Sequence, residues 1–339
     1  MNDMSPCGRV VSVIMPLYNN APYVKAAIES VIAQTYPDWE LVVVDDGSSD
    51  GSFEIAKAYE SDRIKVLSQK NSGACVARNR ALRESSGAFV KFLDADDLLD
   101  KDCLSVQVAQ IEGLGENEIP FGDYNFINPE GQVIHEHKFS WQEELEANQE
   151  LFFYSHWEVL ITTPLHRREL LEAVGFFDEK LPRGQEYDLH FRLANSGCRF
   201  VYCPAITFSY RKHDSIYRIS TGTKARNYET SAYLAYTYQK FEDLLVAKYG
   251  ELPYEFRPGL FKFWFARSRA AFAARNKEDG KHCLANARRV LCWKNRFFRV
   301  YSAVGRVIGY VPLESLLRLR LKLIGKNKTG QAENLGRFI

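Results

Sequence analysis

Short apolar runs alternate with helical patterns through the first third of the chain. Residues 10–15, 41–44 and 64–67 have the length and the β-branched content of buried strands. Between the first two runs, residues 24–32 place apolar side chains at three- and four-residue spacing, which predicts a helix. Because strand, helix and strand follow one another at this pitch, the sequence predicts right-handed βαβ units and an α/β fold. A mixed, mainly parallel sheet flanked by helices should result.

The pattern changes twice further along the chain. Residues 119–135 predict two strands joined by a Pro-Glu-Gly turn, which would make the sheet mixed. Residues 164–174 and 183–193 predict helices, and the rest of the pattern is helical almost throughout. We therefore predict two parts, an α/β domain over residues 1–220 and a helical, basic C-terminal region over residues 221–339.

Three carboxylates lie directly after the fourth predicted strand. Residues 88–93 form this short apolar run, and Asp94, Asp96 and Asp97 follow it. Carboxylates that lie this close repel one another unless a cation is bound among them. Hard divalent ions such as Mg or Mn take oxygen ligands and often share their remaining positions with substrate phosphates. We therefore predict a metal and diphosphate site at this strand end; the alternative is that these acids only cap the next helix.

The loops after the first and second strands should face the same crevice. Ligands of open α/β sheets bind outside the carboxyl ends of the strands, where Tyr18 and Asp46 fall. Residues 46–51 also resemble the start of an EF-hand calcium loop, but the twelfth position is Lys57 rather than Glu and a strand precedes the loop. The Gly-rich patterns of Rossmann dinucleotide and P-loop sites are missing from the sequence.

Charge is distributed unevenly along the chain. The net charge is +1, yet residues 257–339 hold 19 Lys or Arg and 4 Asp or Glu, a net of +15, which leaves −14 for residues 1–256. Residues 316–324 alternate leucines with Arg and Lys, a pattern that suits an anionic membrane interface. Helices that pack on the first domain with a solvated basic face are the alternative. Nucleic acid is not an expected partner, because no recognition module is visible.

Cysteine spacing and hydropathy bear on the compartment. The seven cysteines are scattered and never spaced as Cys-x-x-Cys, which favours a reducing compartment and argues against a zinc site. We find no N-terminal signal pattern and no apolar run that approaches the ~18 residues of a membrane span. We expect a cytoplasmic protein, with peripheral contact to the inner face of the membrane as a further hypothesis.

Five segments together resemble the family 2 glycosyltransferases of the GT-A fold, in the order and at the spacing of that family. The resemblance implies a GT-A type, Rossmann-like catalytic domain over residues 1–220. It also implies inverting, metal-dependent transfer from a UDP- or dTDP-sugar to a glycan or lipid-linked glycan, in the synthesis of cell-surface polysaccharide or glycolipid. The signature of processive synthases is missing, so transfer should be non-processive. The segments are residues 11–19, 43–50, 71–79, 92–97 and 185–189.

The resemblance implies roles for residues of the donor site. Pro16 and Tyr18 are assigned to nucleotide binding, Tyr18 by packing on the base. Asp46 would accept the imide hydrogen of uracil or thymine, a donor that cytosine and adenine lack at that position. Arg78 and Asn79 would reach the diphosphate or the sugar, Arg78 through charge-assisted hydrogen bonds.

The resemblance also implies a metal site for Mg or Mn. Asp94 and Asp96 match the Asp-x-Asp motif, in which Asp96 coordinates the metal and Asp94 contacts the ribose or the water shell of the metal. Asp97 would support them. Arg211 and His213 match a later segment that closes over the diphosphate, as cationic or metal-binding groups.

The catalytic base of the family lies in a Glu-Asp pair at the start of a later helix. Here the pair reads Gln185-Glu186, which assigns Glu186 as the base that takes the proton of the acceptor hydroxyl. Asp188 is the alternative base, although two residues turn a helix by about 200°. Two other functions stay open. A nucleotidyltransferase would need a basic loop after the first strand, and a binding protein for nucleotide sugars or glycans would need no base.

Overall fold

The computed structural model describes most of the chain. The chain divides into two units, residues 1–221 and residues 222–339, and each is described by itself. Residues 316–324, which we predicted to lie at a membrane interface, are outside the described part. The described residues are 10–156, 158–214, 232–290, 301–305, 310–311 and 313.

Strands and helices of the described residues are numbered in chain order. The strands are β1 (Val11–Leu17), β2 (Trp39–Asp45), β3 (Ile64–Ser68), β4 (Phe89–Phe92), β5 (Leu98–Leu99), β6 (Glu118–Ile127), β7 (Val133–His137), β8 (Leu165–Arg167) and β9 (Arg199–Arg211). The helices are α1 (Val24–Ile32), α2 (Ser52–Lys57), α3 (Ala74–Arg83), α4 (Cys103–Glu112), α5 (Gln142–Ala147), α6 (Gln149–Ser155), α7 (Arg168–Ala173), α8 (Gln185–Asn195), α9 (Ala232–Tyr249), α10 (Arg257–Ala273) and α11 (Lys277–Arg289).

The first sheet has five strands in the order β3-β2-β1-β4-β8. Strand β1 pairs in parallel with β2 and β4, and β2 pairs in parallel with β3, as the repeated strand and helix patterns predicted. Residues 41–44 of β2 are buried, because helices cover both faces of a parallel sheet. The apolar face of α1 is buried except at Ile32, which is 45% exposed.

One predicted helix begins later than the sequence pattern indicates. Residues 164–174 predict a continuous helix, but Leu165–Arg167 form strand β8 and the helix α7 starts at Arg168. Strand β8 pairs antiparallel with β4, so it completes the hydrogen bonding along that edge. Tertiary pairing of this kind overrides a weak local helix propensity.

The predicted strands of residues 119–135 form a second sheet rather than an extension of the first. Its order is β5-β9-β6-β7, with β6 and β7 as the predicted antiparallel hairpin and β6 parallel to β9. The two-residue strand β5 follows the acidic residues 94–97 directly and pairs antiparallel with β9. The acidic loop therefore connects one sheet to the other.

The described residues of the second unit are mainly helical, as predicted. The helices α10 and α11 bury Phe261, Trp264, Phe272 and Cys283. On α9, the buried carboxylate of Glu242 is paired with an arginine of α11. In the described ranges, no helix is both long and apolar enough to cross a membrane.

Candidate active site

The loops after β1 and β2 are joined by side-chain hydrogen bonds. The backbone N–H of Asn19 donates to Ser48 Oγ at 2.9 Å, and Asn19 Oδ1 accepts from the backbone N–H of Ser49 at 2.8 Å. Asn19 has a φ of 47°, a left-handed conformation that asparagine tolerates better than most residues. Tyr18 lies next to this junction and is 37% exposed, while Pro16 in β1 is half-buried. A partly exposed tyrosine is thus present at the predicted nucleotide position.

Asp46 is buried and held by donors from the segment before α3. Its Oδ1 accepts from Gln69 Nε2 and from the backbone N–H of Ser72, and its Oδ2 accepts from the backbone N–H of Gly73, each at 2.8 Å. A carboxylate has about four lone-pair sites, so Oδ2 keeps capacity for one more donor. The imide N–H of a uracil or thymine base fits that remaining capacity.

The acidic loop brings Asp94, Asp96 and Asp97 together. Each offers one carboxylate oxygen, and these oxygens lie within 4.8 Å of one another. Asp96 Oδ2 lies 2.9 Å from His213 Nε2, so an imidazole nitrogen contacts one of the three carboxylates. Carboxylate oxygens are the hard ligands that Mg and Mn prefer, so the cluster of three fits such an ion.

Arg211 holds the acidic loop through hydrogen bonds. Its backbone N–H donates to Asp97 Oδ1 and its Nε donates to the carbonyl oxygen of Asp96, both at 2.9 Å. Its Nη1 donates to the carbonyl oxygen of Pro129 at 2.7 Å, in the turn between β6 and β7. Arg211 therefore joins the acidic loop to the turn between β6 and β7, and its predicted contact with a diphosphate stays a prediction.

An aromatic ring that we did not predict lies beside these groups. The ring centroid of Tyr23 is 4.6 Å from that of His213. The guanidinium carbon of Arg211 lies 5.0 Å from the ring centroid of Tyr23. The sequence carries no periodic signal for this contact, because it joins the first loop to the end of β9. A cavity of about 320 Å³ opens here, lined by Asn19, Asn20, Pro22, Tyr23, Asp50, Pro129, His213 and Asp214.

Arg78 is buried between the acidic loop and α8. Its Nη2 donates to Asp94 Oδ1 at 2.6 Å, and its Nη1 donates to Gln185 Oε1. The guanidinium carbon also lies 5.3 Å from the ring centroid of Phe177. The structure thus brings Arg78 to the acidic cluster, although both terminal nitrogens are bonded to protein groups.

Asn79 contacts a different part of the protein from its neighbour. Its Nδ2 donates to the carbonyl oxygen of Phe177 and to Glu179 Oε1, both at 2.9 Å, and its Oδ1 accepts from the N–H of Phe177 at 3.0 Å. Both ends of the amide are therefore used in holding the loop before α8. The structure does not bring Asn79 to the acidic cluster, and its role in donor binding stays a prediction.

Glu186 and Asp188 have different surroundings at the start of α8. Burial raises the pKa of Glu186, the charge of Arg78 opposes this shift, and the charge of Asp94 adds to it. Asp188 is fully buried, and its Oδ2 lies 2.7 Å from Arg192 Nη2. The predicted rotation between the two carboxylates is therefore present in the structure, with Asp188 in an internal ion pair.

The chain is similar in part to known glycosyltransferases. Residues 12–172 match the family described as Glycosyl transferase family 2. The chain is 46% identical over 102 residues to the putative teichuronic acid biosynthesis glycosyltransferase TuaG of Bacillus subtilis, covering 29% of this chain and 40% of that protein. It is 42% identical over 122 residues to the UDP-Glc:alpha-D-GlcNAc-diphosphoundecaprenol beta-1,3-glucosyltransferase WfgD of Escherichia coli, covering 35% of this chain and 47% of that protein. The chain thus spans less than half the length of each of these relatives.

A solved structure gives the fold. The crystal structure of S. aureus TarS residues 1–349 in complex with UDP-GlcNAc superposes with a TM-score of 0.56 and 19% identity, covering 84% of this chain and 93% of that one. At this identity the likeness shows the fold alone, and it confirms the predicted GT-A architecture. The match over residues 12–172 confirms the predicted resemblance to glycosyl transferase family 2.

Proposed function

We propose that this chain is a metal-dependent, inverting glycosyltransferase that moves one or a few sugars from a UDP- or dTDP-sugar to a hydroxyl group. The observation that carries the proposal is the hydrogen-bonded path from Asp94 through Arg78 to Gln185. Gln185 directly precedes Glu186, so the path joins the acidic cluster to the candidate base. An arrangement of this kind suits a reaction in which the donor is activated and the acceptor deprotonated side by side.

The donor is a nucleotide sugar with a uracil or thymine base. Asp46 would accept the imide N–H through its remaining lone pair, and the exposed ring of Tyr18 would pack on the base. The names of two similar proteins support this assignment, since TarS was crystallised with UDP-GlcNAc and WfgD uses UDP-Glc. These names belong to those proteins, and the sugar of this chain is a proposal.

Mg or Mn would be held by Asp96 and Asp94, with His213 as the nitrogen ligand and Asp97 in support. When bound, the ion would neutralise the negative charge that builds up on the departing nucleoside diphosphate. The residues themselves fix the position of the cluster, because Asp97 Oδ1 accepts the backbone N–H of Arg211.

Glu186 would act as the base, rather than Asp188. It takes the proton of the acceptor hydroxyl while the hydroxyl oxygen attacks the anomeric carbon and the bond from that carbon to the diphosphate oxygen breaks. A raised pKa makes Glu186 a stronger base than an ordinary carboxylate, provided that it is ionised at the working pH. Asp188 is held by Arg192 in the interior of the unit.

The acceptor is a glycan or a lipid-linked glycan of the cell surface. The named activities of TuaG and WfgD support this class. We propose that residues 1–220 form the catalytic domain and that the basic helical region, residues 221–339, brings it to an anionic membrane surface from the cytoplasmic side. Exposed Lys281 and Arg288 of α11 contribute to that positive charge.

The experiment is nucleotide release by the full chain from UDP-glucose, UDP-GlcNAc and dTDP-glucose, with Mn²⁺ or with EDTA. We expect slow release to water, faster release when a GlcNAc-diphospho-lipid is added, loss of release in EDTA, and an inverted anomeric centre in the product. Binding of Mn²⁺ and UDP without any release would make the chain a binding protein. Release of pyrophosphate from UTP and a sugar phosphate would make it a nucleotidyltransferase.

A further inference from the structure

Gln185 makes more contacts than a surface residue at a helix start. It is buried, its Oε1 accepts from Arg78 Nη1, and its Nε2 donates to the carbonyl oxygens of Leu181 at 3.3 Å and Pro182 at 3.4 Å. The preceding residue, Gly184, has a φ of 68°, a left-handed conformation that favours glycine. The side chain of Gln185 is therefore held by the turn that starts α8.

Arg78 extends this contact to the acidic cluster. The guanidinium is 5% exposed, and it lies between Gln185 Oε1 on one side and Asp94 Oδ1 on the other. A planar guanidinium that donates from both terminal nitrogens fixes the relative position of its two acceptors. A buried guanidinium is also costly unless such partners are present, so these two hydrogen bonds favour this position of Arg78.

The three groups connect elements that are far apart in sequence. Arg78 belongs to α3, Asp94 to the loop after β4, and Gln185 to the first turn of α8. Because Gln185 is adjacent to Glu186, any movement of its side-chain contacts changes where the candidate base lies relative to the acidic cluster. A displacement of about 1 Å at a reacting group can lower a rate up to about 100-fold.

We propose that Gln185 is a positioning residue which, acting through Arg78, holds the start of α8 in register with Asp94. Gln185 does not itself contact donor or acceptor. The inference rests on the proposed function, since it concerns the geometry of that reaction. It is distinct from a role of Arg78 in binding the diphosphate, because it concerns the N–H groups that Arg78 directs to Gln185 and Asp94.

The experiment measures kcat for nucleotide release and the affinity for UDP with Mn²⁺ by calorimetry, with rates expressed per binding site. For Gln185→Met, which keeps the size of the side chain but loses the acceptor, we expect kcat to fall about tenfold and the UDP affinity to stay within about twofold. For Gln185→Glu, which keeps an acceptor for Arg78, we expect kcat within about threefold of the wild type.

Arg78→Lys tests the same connection from the other end. Lysine keeps the positive charge but lacks the planar fork that reaches two acceptors. If the two residues act together, the double variant with Gln185→Met should have the kcat of the slower single variant rather than the product of both effects. Gln149→Met is the matched control, because the amide of Gln149 bonds to the backbone of Phe200 rather than to Arg78 or the acidic cluster.

The outcomes separate the two proposals. Unchanged kcat for Gln185→Met, multiplicative effects in the double variant, or an equal loss of rate in Gln149→Met would overturn the inference while the proposed function stands. A wild-type chain that releases no nucleotide from any of the three donors would overturn the proposed function, and this inference with it.

Discussion

The acidic loop and the start of α8 use the same residue types in opposite ways. In the loop, Asp94, Asp96 and Asp97 direct one oxygen each to a common region, where the oxygens lie within 4.8 Å of one another. On α8, the carboxylates of Glu186 and Asp188 are only two residues apart in sequence, yet Asp188 is paired with an arginine in the interior. A loop can turn successive side chains to one point, whereas a helix separates residues i and i+2 by about 200°.

The difference shows what gives a carboxylate its role. Asp188 has a buried cation as its partner, so its charge is used for stability. The cation that acts on Glu186 is Arg78, which belongs to another helix and is shared with Asp94. The spacing of acids in a sequence is therefore informative only with the backbone conformation that carries them.

The largest expected effect concerns the base. In Glu186→Gln, the amide cannot accept the proton of the acceptor hydroxyl, so we expect nucleotide release to fall by about 10²–10⁴-fold. UDP binding with Mn²⁺ should be retained, because the acidic loop is unchanged. Steady-state rates and calorimetry measure the two quantities. A variant with wild-type turnover would move the base to another residue.

The next effect concerns the metal site. In Asp96→Ala, the cluster loses a carboxylate and His213 loses its 2.9 Å partner, so we expect the affinity for UDP in Mn²⁺ to fall by about 100-fold or more. Titration calorimetry with and without Mn²⁺ measures this loss. Asp62→Asn, at an exposed aspartate, is the control and should bind as the wild type does. Equal UDP affinity in Asp96→Ala and wild type would contradict the metal assignment.

A third change tests the interior carboxylate of α8. Asp188→Asn removes the charge that is paired with Arg192, whose Nη1 and Nη2 also donate to the carbonyl oxygens of Val174 and Phe176 at 2.6 Å. We expect the free energy of unfolding to fall by about 2 kcal/mol, because a buried cation loses its charged acceptor. Urea unfolding measures it. Turnover per folded site should stay within a few-fold, and a loss as large as that of Glu186→Gln would make Asp188 the base.

The smallest expected effect is a pH dependence of the free energy of unfolding, which arises from buried histidines in α8 and β8. Burial lowers the pKa of His166 in β8 to about 3, and it also lowers the pKa of His190 in α8. Because these folded-state pKa values lie below that of an unfolded histidine, about 6.5, the unfolded chain binds more protons at low pH. The stability that these two histidines contribute is therefore fully present above about pH 6.5, and it is lost progressively as the pH falls toward 3.

Urea unfolding at pH 7 and pH 5 measures this loss. In His166→Phe the decline between the two pH values should be smaller than in the wild type, because one group no longer takes up a proton on unfolding. His135→Phe, at an exposed histidine of β7, should keep the decline of the wild type. A decline that is the same in all three proteins would assign the acid sensitivity to other groups.

Local patterns were sufficient for much of the fold and for bringing out the candidate site, whose role stays a proposal. The apolar runs predicted β1 to β4 because a buried parallel strand is apolar at every position. The acids after β4 and the polar loops after β1 and β2 follow from the rule that ligands bind at the carboxyl ends of strands. The helical angle between Glu186 and Asp188 was also readable from sequence.

Contacts between distant segments were not readable in this way. Strand β8 exists because the edge of β4 offers hydrogen bonds, and the second sheet exists because β9 pairs with both β5 and β6. Arg78, Asn79 and Arg211 were expected at the donor, but their partners are protein groups that only the folded chain brings near. Periodicity reports burial, and it carries no information on which buried groups meet.

Under the proposed function, the setting of Asp46 limits how the donor preference can be redesigned. Asp46→Asn is the obvious change for a base such as cytosine, which offers an acceptor in place of the imide N–H. An amide has one oxygen, so its NH₂ group would face either Gly73 N–H or the donors of Gln69 and Ser72. Both orientations oppose donor to donor. A new base preference would therefore require rebuilding the segment before α3 together with Asp46, and single substitutions will not give access to it.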